Sequence, residues 1–358
     1  MNNRVAHSLN GEWNLSWIEN SVFNAMAQPY CTISALKSSG INTTGAVVPG
    51  NFELDLQRAG LIGDPYYSTN ILALQKFECM HLFYYRSFTY EPAGKGQLYL
   101  HFEGVDTLAD VYLDGELVLS CDNMFIAHET LIKEMTAGLH ELVVHIKPVT
   151  IEARKYEITA GSGALKYNYD SLHIRKAASM YGWDILPRLV SGGIWRDVYL
   201  LEKPDERIED VFAYTRHIDK AAGTASLLFH YNLKISRDLL KDYTIKVKGV
   251  CGGSEFSAES GLWFTAGKLH ASVKNCKFWH PRNYGEANLY DTVFELYDGD
   301  ELIDARNLKI GIRTVVLDRT STTDEAGSGE FCIRVNGEKI FAMGTNWVPL
   351  DALHGNDI

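Results

Sequence analysis

The sequence contains no run approaching 18 apolar residues, which excludes a helical membrane span from what it leads one to expect. It contains no cluster of lysine and arginine either. Its 34 basic residues against 45 acidic ones give a net charge of −11. Nucleic-acid binders gather positive charge to displace counterions, so no nucleic-acid partner is expected, and the acidic balance reads as solubility. The six cysteines (Cys31, Cys79, Cys121, Cys251, Cys276, Cys332) are scattered, with no C-x-x-C and no Cys/His pair at zinc spacing. The twelve histidines show no metal pairing. No metal and no cofactor is therefore expected, and the thiols read as free side chains in a reducing compartment. No charged-then-apolar leader opens the chain, since Met1-Asn-Asn-Arg-Val-Ala-His is polar. These absences together point to a cytoplasmic location. The glycosylation patterns Asn14-Leu-Ser16 and Asn42-Thr-Thr44 then read as chance matches. Gly161-Ser-Gly163 lacks the remaining glycine and basic spacing of a phosphate loop.

What the chain does hold is β-strand signal. At 358 residues, 46% hydrophobic and 22% charged, it is long enough for two or three domains with substantial cores. Leu82–Tyr90, Gln97–Glu103, Ala109–Leu113, Glu116–Leu119 and His140–Ile146 read as short strands. Asp114-Gly115 between the third and fourth is a type I′ hairpin signal. His140–Ile146 alternates polar and apolar residues, as a half-buried strand does. Val47–Pro49 leads into a short helical or irregular stretch, Gly50–Gly60. Short strands at regular spacing with turns between them predict an all-β sandwich.

Residues 150–180 break that rhythm and read as a long excursion from the sandwich, of the kind that is functional or disordered. Asp197–Leu201 closes the first sandwich, and Lys203-Pro204-Asp205 marks a boundary. Ile208–Thr215, Thr224–Lys234, Tyr243–Lys248, Leu269–Val273 and Thr292–Tyr297 then suit an immunoglobulin-like sandwich. A second boundary falls near Asp318-Arg-Thr-Ser-Thr-Thr323. The predicted domains are thus 1–203, 204–317 and 318–358. In the last, Asn336-Gly337 joins two apolar runs as a hairpin. A new strand, Ile340–Asn346, follows and reads as the opening of a further domain, with 11 residues after Trp347.

Four segments together resemble the β-mannosidase branch of glycoside hydrolase family 2. They are Phe102-Glu-Gly-Val-Asp-Thr-Leu-Ala-Asp-Val-Tyr-Leu-Asp-Gly115, Tyr181-Gly-Trp-Asp184-Ile-Leu-Pro-Arg188 with Gly192-Gly-Ile-Trp-Arg-Asp197, Trp279-His-Pro-Arg-Asn-Tyr-Gly-Glu286 with Gly311-Ile-Arg-Thr-Val315, and Asn336-Gly337 with Gly344-Thr-Asn-Trp347-Val-Pro. Their order and spacing match the family from about residue 8 onward. One departure stands out: the branch usually has Trp-Gly after the aspartate, where this chain has Ile185-Leu186. The resemblance implies a jelly-roll, galactose-binding-like β-sandwich, an immunoglobulin-like β-sandwich, and the first hairpin and strand of a (β/α)8 barrel.

The family cleaves terminal β-linked mannose with retention, which uses two carboxylates about 5–5.5 Å apart. In the family both are glutamates on later barrel strands, and no residue here aligns with either. No catalytic residue is therefore expected in this chain, and alone it should be inactive. Asp184 matches the aspartate that the N-terminal domain lends to the sugar pocket, where a carboxylate accepts hydrogen bonds from adjacent hydroxyls. Trp347 matches the tryptophan ending barrel strand one, whose indole face suits the C–H face of a sugar. Asn346 is a weaker candidate of the same kind. Trp183 either lines the pocket or packs in a core. Arg188 either pairs with a carboxylate at the domain interface or is a solvated surface residue. Trp195 and Trp279 read as core or interface residues. The expected partner is carbohydrate, a β-mannoside. The alternative from another class is a stand-alone carbohydrate-binding module without hydrolase activity. An unpaired terminal strand would leave 340–358 disordered, packed back on the sandwiches, or paired with another copy in a homo-oligomer.

Overall fold

The computed structural model describes residues 4–26, 30–94, 96–164, 168–321 and 323–354. The first three residues of the polar opening, Thr322 in the second predicted boundary, three residues of the excursion (165–167) and the last four of the terminal stretch lie outside them. The chain divides into two compact units, one of Val5–Glu202 with Trp347–Ile358 and one of Met1–Arg4 with Lys203–Asn346.

The first unit is a two-sheet sandwich. Its six-stranded sheet runs, in spatial order, Asn42–Val48, Gly11–Glu19, Met80–Tyr90, Gly138–Ile146, Ala109–Leu113 and Glu116–Cys121. Opposite it, Val5–Ser8, Val198–Lys203, Gln97–Phe102 and His128–Ile132 form a four-stranded sheet. Inward side chains from both sheets, among them Trp13, Leu15, Tyr84, Leu100, Phe102, Val144 and Leu200, fill one buried core. At the expected hairpin, Asp114 and Gly115 take φ of +50° and +85°, the two positive values that a type I′ turn requires.

The strand Gly138–Ile146 departs from expectation. From Leu142 to Ile146 every residue is buried, so both faces are covered rather than one. The reason is a second apolar layer: Ile33 and Leu36 of the helix Ile33–Ser38 pack on the outer face against Phe83, Tyr85 and Val143. The 150–180 excursion also holds some regular structure, namely the helix Val149–Ala153 and 3-10 turns at Tyr169–Ser171 and Ala178–Tyr181.

The second unit is a sandwich of three strands (Arg207–Asp219, Thr224–Lys234, Ala266–Val273) on four (Ser254–Gly261, Tyr243–Cys251, Tyr290–Asp298, Glu301–Ile310). Its core contains Phe229, Tyr243, Val247, Phe256, Phe294 and Leu296. A small sheet, Val315–Arg319, Phe331–Val335 and Glu338–Ile340, completes it. Asn336 and Gly337 turn this hairpin with φ of +53° and +79°. Asn336 is buried: its backbone N–H donates to Thr314 O (2.9 Å). Its side-chain amide donates to Trp279 O (2.9 Å) and accepts from Thr314 N (3.0 Å).

The expected strand Ile340–Asn346 does not form. Among the described residues the last strand ends at Ile340, and residues 341–347 are exposed and form neither strand nor helix. A parallel barrel strand gains its hydrogen bonds from neighbours on both sides. Among the described residues no strand lies beside this one, and Phe341 N donates to the Tyr284 hydroxyl (2.7 Å) instead.

Candidate sugar-contact turn

Asp184 sits at the tip of a tight turn. Trp183 N donates to Leu186 O (3.0 Å) and Leu186 N to Trp183 O (3.1 Å), leaving Asp184 and Ile185 at the corner. Gly182, at φ +103°, allows the chain to enter the turn, and its carbonyl accepts from the Asn168 side chain at 3.1 Å. The corner is solvent-facing: Asp184 is exposed, Trp183 is 40% exposed and Ile185 66%. An exposed carboxylate between an indole and an aliphatic side chain can accept paired hydroxyl hydrogen bonds while its flanks cover C–H surface.

The turn is pinned from its C-terminal side. Leu189 N donates to Met180 O at 2.9 Å. Arg188 forks onto Glu78, with Nε to Oε1 at 2.9 Å and Nη2 to Oε2 at 2.7 Å, and its Nη2 also reaches Asp170 at 3.4 Å. The guanidinium lies over the buried Tyr181 ring, 5.5 Å from its centroid. Burial works against the Arg188 charge, but the hydrogen bond and charge of Glu78 and the charge of Asp170 outweigh it and hold its pKa above the usual value. Arg188 therefore pairs with carboxylates of its own unit. Burial pushes the Tyr181 phenol far up, so it stays neutral.

Deeper in the same unit, Lys176 from the excursion is fully buried. Its ammonium donates to both carboxylate oxygens of buried Asp106 and to Ser191 O (2.7 Å). The Ser191 hydroxyl donates to Glu53 Oε2 at 2.6 Å and accepts from the Asn51 side chain at 3.0 Å. This network ties the loop carrying Asp184 to the sandwich. The sequence does not signal this pairing: Lys176 and Asp106 are 70 positions apart, and only Asp106 lies in one of the four family-like segments.

Trp347 belongs to the same unit as Asp184 and is 79% exposed. Beyond it, Ala352 and Leu353 are buried in a cluster with Leu74 and Leu189, against which Leu186 packs. Asn346, exposed, falls in the other unit. Trp195 is buried beside Met124 and Met180, as its core reading anticipated. Trp279 is half-buried with the Arg313 guanidinium 4.5 Å from its ring centroid. Among the described residues, no group of three or more His, Cys, Asp or Glu is placed to hold a metal ion. All six cysteines are free thiols. No helix of the described residues is long and apolar enough to cross a membrane.

Residues 33–196 match the glycosyl hydrolase 2 galactose-binding domain-like family, and residues 206–313 match glycosyl hydrolases family 2. The chain is 31% identical over 310 residues to β-mannosidase B of Thermothelomyces thermophilus, covering 85% of this chain and 35% of that protein. It is 31% identical over 315 residues to β-mannosidase B of Aspergillus clavatus, covering 85% and 36%. The chain thus spans little more than a third of the length of these relatives. Among solved structures, a β-D-mannosidase from Dictyoglomus thermophilum superimposes with a TM-score of 0.79 at 28% identity, over 98% of this chain and 41% of that one. A β-glucuronidase of Ruminococcus gnavus shares the fold, with a TM-score of 0.60 at 19% identity over 95% of this chain and 49% of that one. Two matched domains of one family, in order and together covering most of the chain, settle its membership: the chain belongs to glycosyl hydrolase family 2.

Proposed function

We propose that this chain supplies the sugar-recognition wall of a β-mannosidase-like retaining glycoside hydrolase acting on terminal β-linked mannose. In this reading residues 1–203 are its jelly-roll domain, 204–317 its immunoglobulin-like domain and 318–358 the start of its barrel domain. The observation that carries this reading is the exposed Asp184 at the corner of a pinned turn, in a family 2 chain similar to β-mannosidases over 85% or more of its length. Asp184 accepts hydrogen bonds from two adjacent hydroxyls of the terminal sugar. Trp183 flanks it, and Trp347 offers an indole face to the C–H side of the ring, with Asn346 beside it in sequence. Bond cleavage needs a carboxylate acid/base and a carboxylate nucleophile, and no residue of this chain is assigned either role.

The chain by itself should not turn over a chromogenic β-mannoside. Turnover by protein shown by intact mass to end at Ile358 overturns that assignment. Calorimetry with mannose and β-1,4-mannobiose should give weak binding or none, because a sugar pocket encloses its ligand and this wall is one side of one. Micromolar affinity favours a stand-alone carbohydrate-binding module instead.

A further inference from the structure

The two aromatic–polar stretches of the candidate wall lie far apart in sequence, yet they share one apolar anchor. Residues 341–347 are exposed and make no strand. The chain becomes buried again only past Trp347, where Val348 and Pro349 are half-buried and Ala352 and Leu353 enter the first unit. Leu353 is completely buried in the cluster with Leu74 and Leu189, and Leu186, which closes the Asp184 turn, packs on the same cluster. The Tyr66 hydroxyl lies 2.9–3.0 Å from both carboxylate oxygens of Asp351, and the His354 ring meets Trp195 edge-on at 6.3 Å. Ordering a coil without strand or helix costs backbone entropy at every residue. That cost is met here at few points, so each buried contact has a large share in whether the stretch is ordered at all.

We propose that Leu186 and Leu353 are positioning residues that latch the Asp184 turn and the Trp347 stretch together, so that the two parts of the sugar wall order as one unit. The assignment of that wall to a sugar rests on the reading above; the latch is a property of this chain and can be tested without any ligand. Hydrogen exchange read by mass spectrometry follows residues 180–190 and 347–354 separately. Leu353→Ala should speed exchange by about tenfold in its own stretch and also across 180–190, and Leu186→Ala should do the reverse. Leu353→Met, which keeps the volume, should restore both. Leu239→Ala, at an exposed position of the other unit, should change neither.

The amides of Met80–Tyr90 report global opening in every sample. Acceleration confined to the mutated stretch, or no rescue by methionine, overturns the latch. Acceleration of Met80–Tyr90 in both Leu353→Ala and the milder Leu353→Val overturns it too, because the cluster would then belong to the global core. Coupling intact, with kcat/KM on a β-mannoside unchanged by Asp184→Ala when the chain is joined to a family 2 catalytic barrel, would instead count against the sugar assignment, so the two failures are told apart.

Discussion

Glu53 is the side chain whose chemistry is furthest from its ordinary behaviour. Full burial raises its pKa from 4.5 to about 8, against the lowering effects of the Ser191 hydroxyl and the Lys176 charge. The folded chain thus holds a proton that the unfolded chain has released between those values. The associated stability is fully present below pH 4.5 and is lost as pH rises through about 8. Glu53→Gln should flatten the fall in urea midpoint between pH 5 and 8.5, and an unchanged slope refutes this. His81 and His145 behave oppositely. They share a hydrogen bond of 2.8 Å, and burial followed by neighbouring positive charge holds both well below 6.5. Asp110 opposes this at His145, while Lys147 faces both rings and Lys155 acts on His81. Their contribution is present above pH 6.5 and is lost as pH falls through the depressed native values. His145→Gln should therefore show a shallower acid limb in thermal melts between pH 6.5 and 4. Lys176→Met strands the buried Asp106 charge and should cost about 3–5 kcal/mol in urea unfolding, with Asp106→Asn in the same chain recovering part of it.

At the scale of elements, the strands with strict alternation and the two turns with positive φ were legible because their causes are local. Asp114-Gly115 and Asn336-Gly337 each carry the residue types that tolerate left-handed backbone, and both form hairpins. Ser254–Gly261 and Glu301–Ile310 were not read as strands. The first is rich in serine and glutamate, and what orders it is its pairing with Tyr243–Cys251. Ile340–Asn346 fails for the converse reason: its sequence is strand-like, but no described strand lies beside it. The covered outer face of Gly138–Ile146 was hidden because its cover, the helix Ile33–Ser38, lies about a hundred residues earlier. Arg188 joins the two scales. Arg188→Ala leaves Glu78 with less compensation and should cost about 1.5–3 kcal/mol, read as a lower urea midpoint.

At the scale of the whole molecule, two sandwiches were foreseeable from strand spacing, and two sandwiches are present. The candidate site was less legible. Asp184, Trp183 and Trp347 stand out only through the family resemblance, since no spacing rule separates a sugar-binding aspartate from a turn cap. The supports of the turn, Glu78, Lys176 and Leu353, gave no signal, because each acts through a partner distant in sequence. The central claim is that Asp184 helps hold terminal β-mannose. It is tested most directly by steady-state kinetics on a chromogenic β-mannoside, with this chain expressed in continuity with a family 2 catalytic barrel. Losing a charged hydrogen-bond acceptor to the sugar corresponds to about 1.5–3 kcal/mol per bond, so Asp184→Ala should lower kcat/KM at least about tenfold. The β-mannoside should be preferred over β-galactoside and β-glucuronide. An unchanged kcat/KM in Asp184→Ala, or preference for another glycoside, would contradict the account.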